Sequence, residues 1–117
     1  MKLQVNDDLF LIDLNHVCYF QADDHYAHVY YDTNICRMLP LGLGVLECKI
    51  KDLLKSNSLF IRVGRKFIIN KSKVIYINCQ HKQVRLAHVV DGTYELFLTK
   101  TGVRNLMEAV RQKKSDL

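Results

Sequence analysis

Five basic side chains and no acidic one lie within the thirteen residues Ile61–Lys73, which read I-R-V-G-R-K-F-I-I-N-K-S-K. They are Arg62, Arg65, Lys66, Lys71 and Lys73. The spacing does not fit a helix, but a strand–turn–strand reading works. Ile61, Val63, Phe67 and Ile69 are apolar anchors, and Gly64 permits a backbone kink between them. Arg65 and Lys66 are then pushed outward on a short, well-anchored loop. An arginine there can fork onto guanine O6 and N7 in a major groove, and a lysine suits phosphate as a point charge. Asn70 can cap the turn that follows.

The charge of the whole chain supports a polyanionic partner. The 117 residues carry a formal net charge of +5, with a pI of about 9.1. The distribution says more than the total. Met1 to Asn34 holds one basic residue and six acidic ones, and the other 83 residues hold 16 basic and 6 acidic. Such asymmetry gives the molecule a positive side, which steers polyanions toward it.

Other chemistry has little support. Cys18, Cys36, Cys48 and Cys79 are widely separated and form no CxxC pair, so neither a zinc site nor a disulfide framework is expected. Reduced thiols in the cytoplasm are the simplest reading. No metal or other cofactor is implied. His25 and His28 share an H-x-x-H spacing, but on a regular strand they point to opposite faces. Cys18 and His16 form a weak nucleophile–base pair with no further partner. No P-loop, G-x-S-x-G or HExxH occurs, so an enzyme is not expected. No stretch approaches the roughly 20 apolar residues that span a bilayer, and no membrane role is expected.

The elements that must position the basic segment are mostly strands. Hydrophobic residues make up 49% of the chain, which is enough for one domain's core. His16–Ala22 and Tyr26–Tyr31 read as a hairpin with its tip at Asp23-Asp24-His25. Tyr26, His28 and Tyr30 should share one face, and Ala27, Val29 and Tyr31 the other. Leu9–Leu14 is a short apolar run, and Ile35–Leu39 a third strand. Leu46, Ile50, Leu53 and Leu54 form a helical stripe within Val45–Lys55. Val74–Asn78, Val84–Val90 and Tyr94–Leu98 are further strands, with Asp91-Gly92 the strongest hairpin signal. Val103, Leu106, Met107 and Val110 mark a C-terminal helix, which Thr99 or Thr101 can cap. The result is a mainly-β domain with a mid-chain helix and a C-terminal helix, and no conventional helix-turn-helix.

Phe60–Asn70 resembles the motif of the LytTR DNA-binding family, roughly F-x-R-x-H-R-S-[FY]-[IV]-[IV]-N. Lys71–Ile77 is similar to the basic turn and strand that follow it. Val17–Ala22 with Tyr26 resembles the family's opening hairpin, I-x-Y-I-E-A-x-x-x-Y. Leu96–Leu106 is weakly similar to its closing hydrophobic–Ser–Arg element, with Thr99-Lys100 where Ser-Arg is common. The resemblance spans about Leu9 to Val110, and residues 1–117 read as a single domain. Gly64 and Lys66 depart from the pattern, standing where His and Ser are usual.

The resemblance implies an elongated fold of about ten strands in antiparallel sheets, whose loops enter the major groove. It implies sequence-specific binding of double-stranded DNA by a bacterial transcription regulator, as in the output domains of response regulators. On that basis Arg65 is expected to read a base, with Lys66 and Arg62 as neighbouring contacts. His25 and Tyr26 would form a second contact loop, and Lys100 and Arg104 a third region. Arg62 could instead form an ion pair with an acidic residue near the N-terminus. Lys71 and Lys73 are solvated by default, with phosphate contact the alternative. A homodimer on repeated half-sites, or a sensor or regulatory protein, would be compatible partners. The chain reads as either a free-standing regulator or an excised output domain. The competing reading is a protein- or RNA-interaction module that kept the fold and lost the usual target.

Overall fold

The computed structural model describes residues 1–88 and 92–114, the side chains of the last two excepted. Val90 and Asp91, part of the expected final hairpin, lie outside the described residues. Ten strands and two α-helices are present among those described, in three antiparallel sheets. The molecule is elongated, with extents of 44 × 30 × 26 Å.

The central sheet has five strands. They are β3 (Val17–Asp23), β4 (Tyr26–Tyr31), β5 (Cys36–Leu39), β6 (Phe60–Val63) and β7 (Phe67–Asn70), in the spatial order β5-β4-β3-β7-β6. A two-stranded hairpin of β1 (Lys2–Val5) and β2 (Asp8–Leu11) precedes it. Strands β8 (Val74–Asn78), β9 (Gln83–Ala87) and β10 (Thr93–Phe97) make the third sheet. Helix α1 (Leu43–Leu54) lies between β5 and β6, and α2 (Lys100–Lys114) closes the chain.

Each face of the central sheet carries its own core. Val17, Phe20, Ala27, Val29 and Ile68 pack with Leu43, Leu46 and Ile50 of α1 and with Leu3. Cys18, Tyr19, Val63, Phe67 and Ile69 pack with Val84, Leu86 and Leu96 of the third sheet, and with Val103 and Leu106 of α2. Strand β7 alternates between the two, Ile68 to one side and Phe67 and Ile69 to the other, and is buried throughout. Strand β3 needs an extra residue to do the same. Val17 pairs with Tyr31 and Tyr19 with Tyr30, so the pairing register shifts at Cys18. That bulge puts Cys18 and Tyr19 into the same core, while Val17 and Phe20 fill the opposite one.

Several sequence expectations need correction. Leu53 is not on the buried stripe of α1 but 54% exposed; Leu43, Leu46 and Ile50 are the residues buried against the sheet. Leu54 packs partly buried beside them, so the seam runs through Leu43 in place of Leu53. At the N-terminus, Leu9–Leu14 is not one apolar element. Asp8–Leu11 pairs with Lys2–Val5, Asn6 takes a left-handed φ of 54° in the turn, and Leu3 reaches the core. The alternation on β4 holds: Ala27 and Val29 are buried while Tyr26 is exposed. Thr99 caps α2, its Oγ1 accepting from the Gly102 amide at 3.0 Å.

Candidate nucleic-acid interface

Gly64, Arg65 and Lys66 form the exposed turn between β6 and β7. Val63 pairs with Phe67 directly below it, so the apolar anchors hold a three-residue loop at the sheet end. Gly64 has φ +64°, a left-handed conformation that L side chains rarely adopt. A Cβ there would meet nothing within 4 Å, so only the backbone selects glycine. Gly64→Ala is therefore expected to cost about 1 kcal/mol, as a lower thermal midpoint with the fold intact. An unchanged midpoint would show that the loop relaxes into another turn.

Two further segments converge on this loop. Strand β3 runs antiparallel to β7, Gln21 pairing with Phe67, and the Ala22 amide donates to the Lys66 carbonyl at 2.7 Å. The β3–β4 tip at Asp24 and His25 therefore emerges from the same end of the sheet. Two strand spacings separate the two tips, roughly 10 Å. The third segment is the start of α2. Gly102 packs so closely on β6 that a Cβ would fall 3.0 Å from Val63 Cγ1. A groove of about 540 Å³ runs between the basic loop and the β10–α2 junction, lined by Val63–Phe67 on one side and Phe97–Thr99 on the other. Lys100 and Arg104 are exposed on the first turns of α2.

Arg65, Lys66, Lys100 and the tip residues His25 and Tyr26 are thus brought to one end of the molecule. All five are exposed, His25 with 90% of its side chain free. Arg65 makes no side-chain hydrogen bond or ion pair among the described residues. Asp24 lies 3.8 Å from His25, and Asp23 Oδ2 contacts His28 Nε2 at 2.8 Å, so the tip also carries negative charge. Among the described residues no three His, Cys, Asp or Glu side chains gather as a metal site.

Lys71 and Lys73 sit elsewhere. They follow the far end of β7, about 13 Å along the strand from the loop. Lys71 lines a depression with Ala109 and Gln112, well down α2 from Lys100. Lys73 Nζ is 3.0 Å from Asp32 Oδ2, and Asp32 is only 1% exposed. Its charge serves a buried carboxylate rather than the basic end. Arg62 also differs from expectation. Its ion-pair partner is Glu47 on α1 at 3.0 Å, not an acidic residue near the N-terminus.

Asp32 is the residue that sequence reasoning missed, since Asp32-Thr33-Asn34 reads as an ordinary turn. Burial alone would raise its pKa, but hydrogen bonds from Lys73 and His16, with their positive charge, hold it below the ordinary carboxylate value. His16 Nδ1 lies 3.1 Å from it. Cys18, one candidate nucleophile, is buried, and its Sγ donates to the Ala87 carbonyl at 3.4 Å. Burial and the nearby Asp32 charge push that thiol up to about 11, which leaves it protonated and unreactive near neutrality.

The family model of the LytTr DNA-binding domain matches residues 7–111. The chain belongs to this family. A solved LytTr structure has the same fold with a TM-score of 0.64, at 21% identity over 94% of each chain. It is the LytTr DNA-binding domain of a Bacillus cereus protein described as a methyl-accepting/DNA response regulator. No curated protein matches the sequence. The mainly-β arrangement expected from the LytTR resemblance is thereby established, and among the described residues no helix is long and apolar enough to cross a membrane.

Proposed function

We propose that this LytTR domain binds duplex DNA sequence-specifically as part of a transcription regulator, with its loops in the major groove and with no reaction of its own. The observation that carries the reading is the convergence of the basic loop, the β3–β4 tip and the start of α2 at one sheet end, in a family of DNA-binding domains. Arg65 is the base reader. Its guanidinium is free, and its backbone is held by Val63 and Phe67 on either side. Lys66 and Lys100 neutralise phosphates, with Arg104 one turn behind. The amide end of α2 adds partial positive charge beside them. His25 and Tyr26 meet the backbone or a neighbouring base from the second tip.

The test begins with selection from random duplexes, which yields the site. Arg65→Ala should then weaken binding to it by about 1–3 kcal/mol and relax preference at one base pair. Fluorescence anisotropy at several salt concentrations reads both effects. Affinity should fall steeply with salt, in proportion to the phosphates neutralised. Unchanged affinity for the selected duplex would remove Arg65 from the reading. A repeat within the recovered sites would indicate two copies of the domain per site. Gly64, standing where the family pattern has His, favours the second reading, a protein- or RNA-binding module. Recovery of RNA or a protein but of no duplex would support that instead. The regulator's cytoplasmic location, and a sensor or regulatory partner supplying its signal, belong to the same proposal.

A further inference from the structure

Arg62 is one residue from the basic loop, yet its guanidinium points back into the molecule. Nη1 donates to Glu47 Oε1 at 3.0 Å, Nε to the Gly64 carbonyl at 2.9 Å, and Nη2 to the Arg65 carbonyl at 3.4 Å. The two side chains are largely buried, 27% exposed for Arg62 and 23% for Glu47. Glu47 belongs to α1, and its other oxygen lies 3.2 Å from Lys51 Nζ. One fork therefore ties a helix on one face of the sheet to two carbonyls of the loop at its end.

We propose that the Glu47–Arg62 pair is a brace that presets the basic loop for base reading, with Arg62 a positioning residue and not a phosphate contact. The proposal rests on the DNA-binding reading above. The ends of the loop are held by the Val63–Phe67 pair and the bond from the Ala22 amide to the Lys66 carbonyl, and within it the Gly64 and Arg65 carbonyls accept from Arg62. A guanidinium presents its donors in a fixed planar fork, and only that shape reaches three acceptors at once. Ordering the Gly64 and Arg65 carbonyls before DNA arrives removes that ordering cost from the binding step. A bidentate Arg65–guanine contact tolerates only small misplacement. The brace therefore acts on discrimination between sequences, while overall charge attraction is set by Lys66, Lys100 and their neighbours.

Glu47 separates the two roles for Arg62 by sign. If Arg62 contacted phosphate, Glu47→Gln would free it and strengthen binding to every duplex. If Arg62 braces the loop, Glu47→Gln loosens it and lowers preference for the selected site. The experiment titrates the full chain, Glu47→Gln and Arg62→Lys with two probes. One is the duplex recovered by selection with the unaltered chain, and the other a scrambled duplex of equal length and composition. Arg62→Lys keeps the charge and loses the fork. Both variants are expected to lower the affinity ratio between the probes by about tenfold, with thermal melting showing them folded.

Backbone ¹⁵N relaxation of the free protein gives a readout that needs no DNA. The amides of Gly64–Lys66 should become more mobile in both variants, while those of β7 do not change. Unaltered relaxation at the loop overturns the proposal, and so does an unaltered affinity ratio in both variants. A rise in affinity for both probes with the ratio preserved also overturns it, and assigns Arg62 to phosphate. Failure of the unaltered chain to select any duplex overturns the DNA-binding reading itself, whereas loss of the ratio in Arg65→Ala alone leaves that reading standing without the brace.

Discussion

Lys73→Met is expected to lower folding stability by about 3 kcal/mol, the low end of the cost of breaking a buried ion pair. The substitution keeps most of the lysine's stem and volume, so the loss reports charge rather than packing. Asp32 is 1% exposed, and the pair closes at 3.0 Å. Removing Lys73 leaves that carboxylate with His16 at 3.1 Å as its one side-chain partner. His16 is more than half exposed, so its help is screened. Urea unfolding should show a lower midpoint with the same slope. The double change Asp32→Asn with Lys73→Met should recover part of the loss, because no charge is then left buried. A loss below 1 kcal/mol would show that water reaches Asp32. The salt dependence of DNA binding should not change, since Lys73 lies away from the basic end.

The same pair sets a pH dependence. Asp32 is held below its ordinary pKa in the folded chain. The unfolded chain therefore takes up the proton first as pH falls. The stabilisation is complete above the unfolded carboxylate's pKa, about 3.9, and disappears as pH drops through the lower folded value. Lys73→Met should reduce that loss on acidification, which unfolding curves between neutral pH and about pH 3 would read.

Asn70→Ala is the second large effect, also expected near 3 kcal/mol. Asn70 is buried, donates from Nδ2 to the Val17 carbonyl at 2.8 Å, and accepts from the Ser72 amide at 3.0 Å and the Ser72 hydroxyl at 2.7 Å. Alanine leaves the buried Val17 carbonyl without this partner, at about 1–3 kcal/mol, and removes the cap on the amide of the exposed Ser72, at about 1 kcal/mol. Val17 is also the last regular pair before the Cys18 bulge. Faster amide exchange at Ser72 and along β3 should accompany the lower stability. Wild-type exchange at these positions would mean that the turn closes without Asn70.

Local signals were legible in the sequence, and long-range polar contacts were not. The apolar anchors around Gly64, the alternation on β4 and the Thr99 cap each depend on neighbours within a few residues. The Asn70 turn is likewise local, its Oδ1 bonding two residues ahead. The Glu47–Arg62 pair joins positions 15 apart, and Asp32–Lys73 positions 41 apart. Nothing in one strand's periodicity tells which charge will be buried beside which partner. That is why Lys73 reads as a solvated cation and Asp32 as an ordinary turn residue. The N-terminal strand was missed for a different reason. Lys2–Val5 is only four residues long, and its turn uses Asn6 in a left-handed conformation without the glycine that usually marks a hairpin.

The double burial of β3 and β7 has a consequence for how such a domain can diversify. Strand β7 and residues 17–20 of β3 are sealed on two faces, so their sequences are tightly constrained, while residues 64–66 project from the end of β7 with open space around the Gly64 backbone. Arg65 and Lys66 are thus exchangeable on a fixed turn, while Gly64 is held by its backbone conformation. Changing them alters the charge and hydrogen-bonding groups offered at that end of the sheet, without any repacking of the interior.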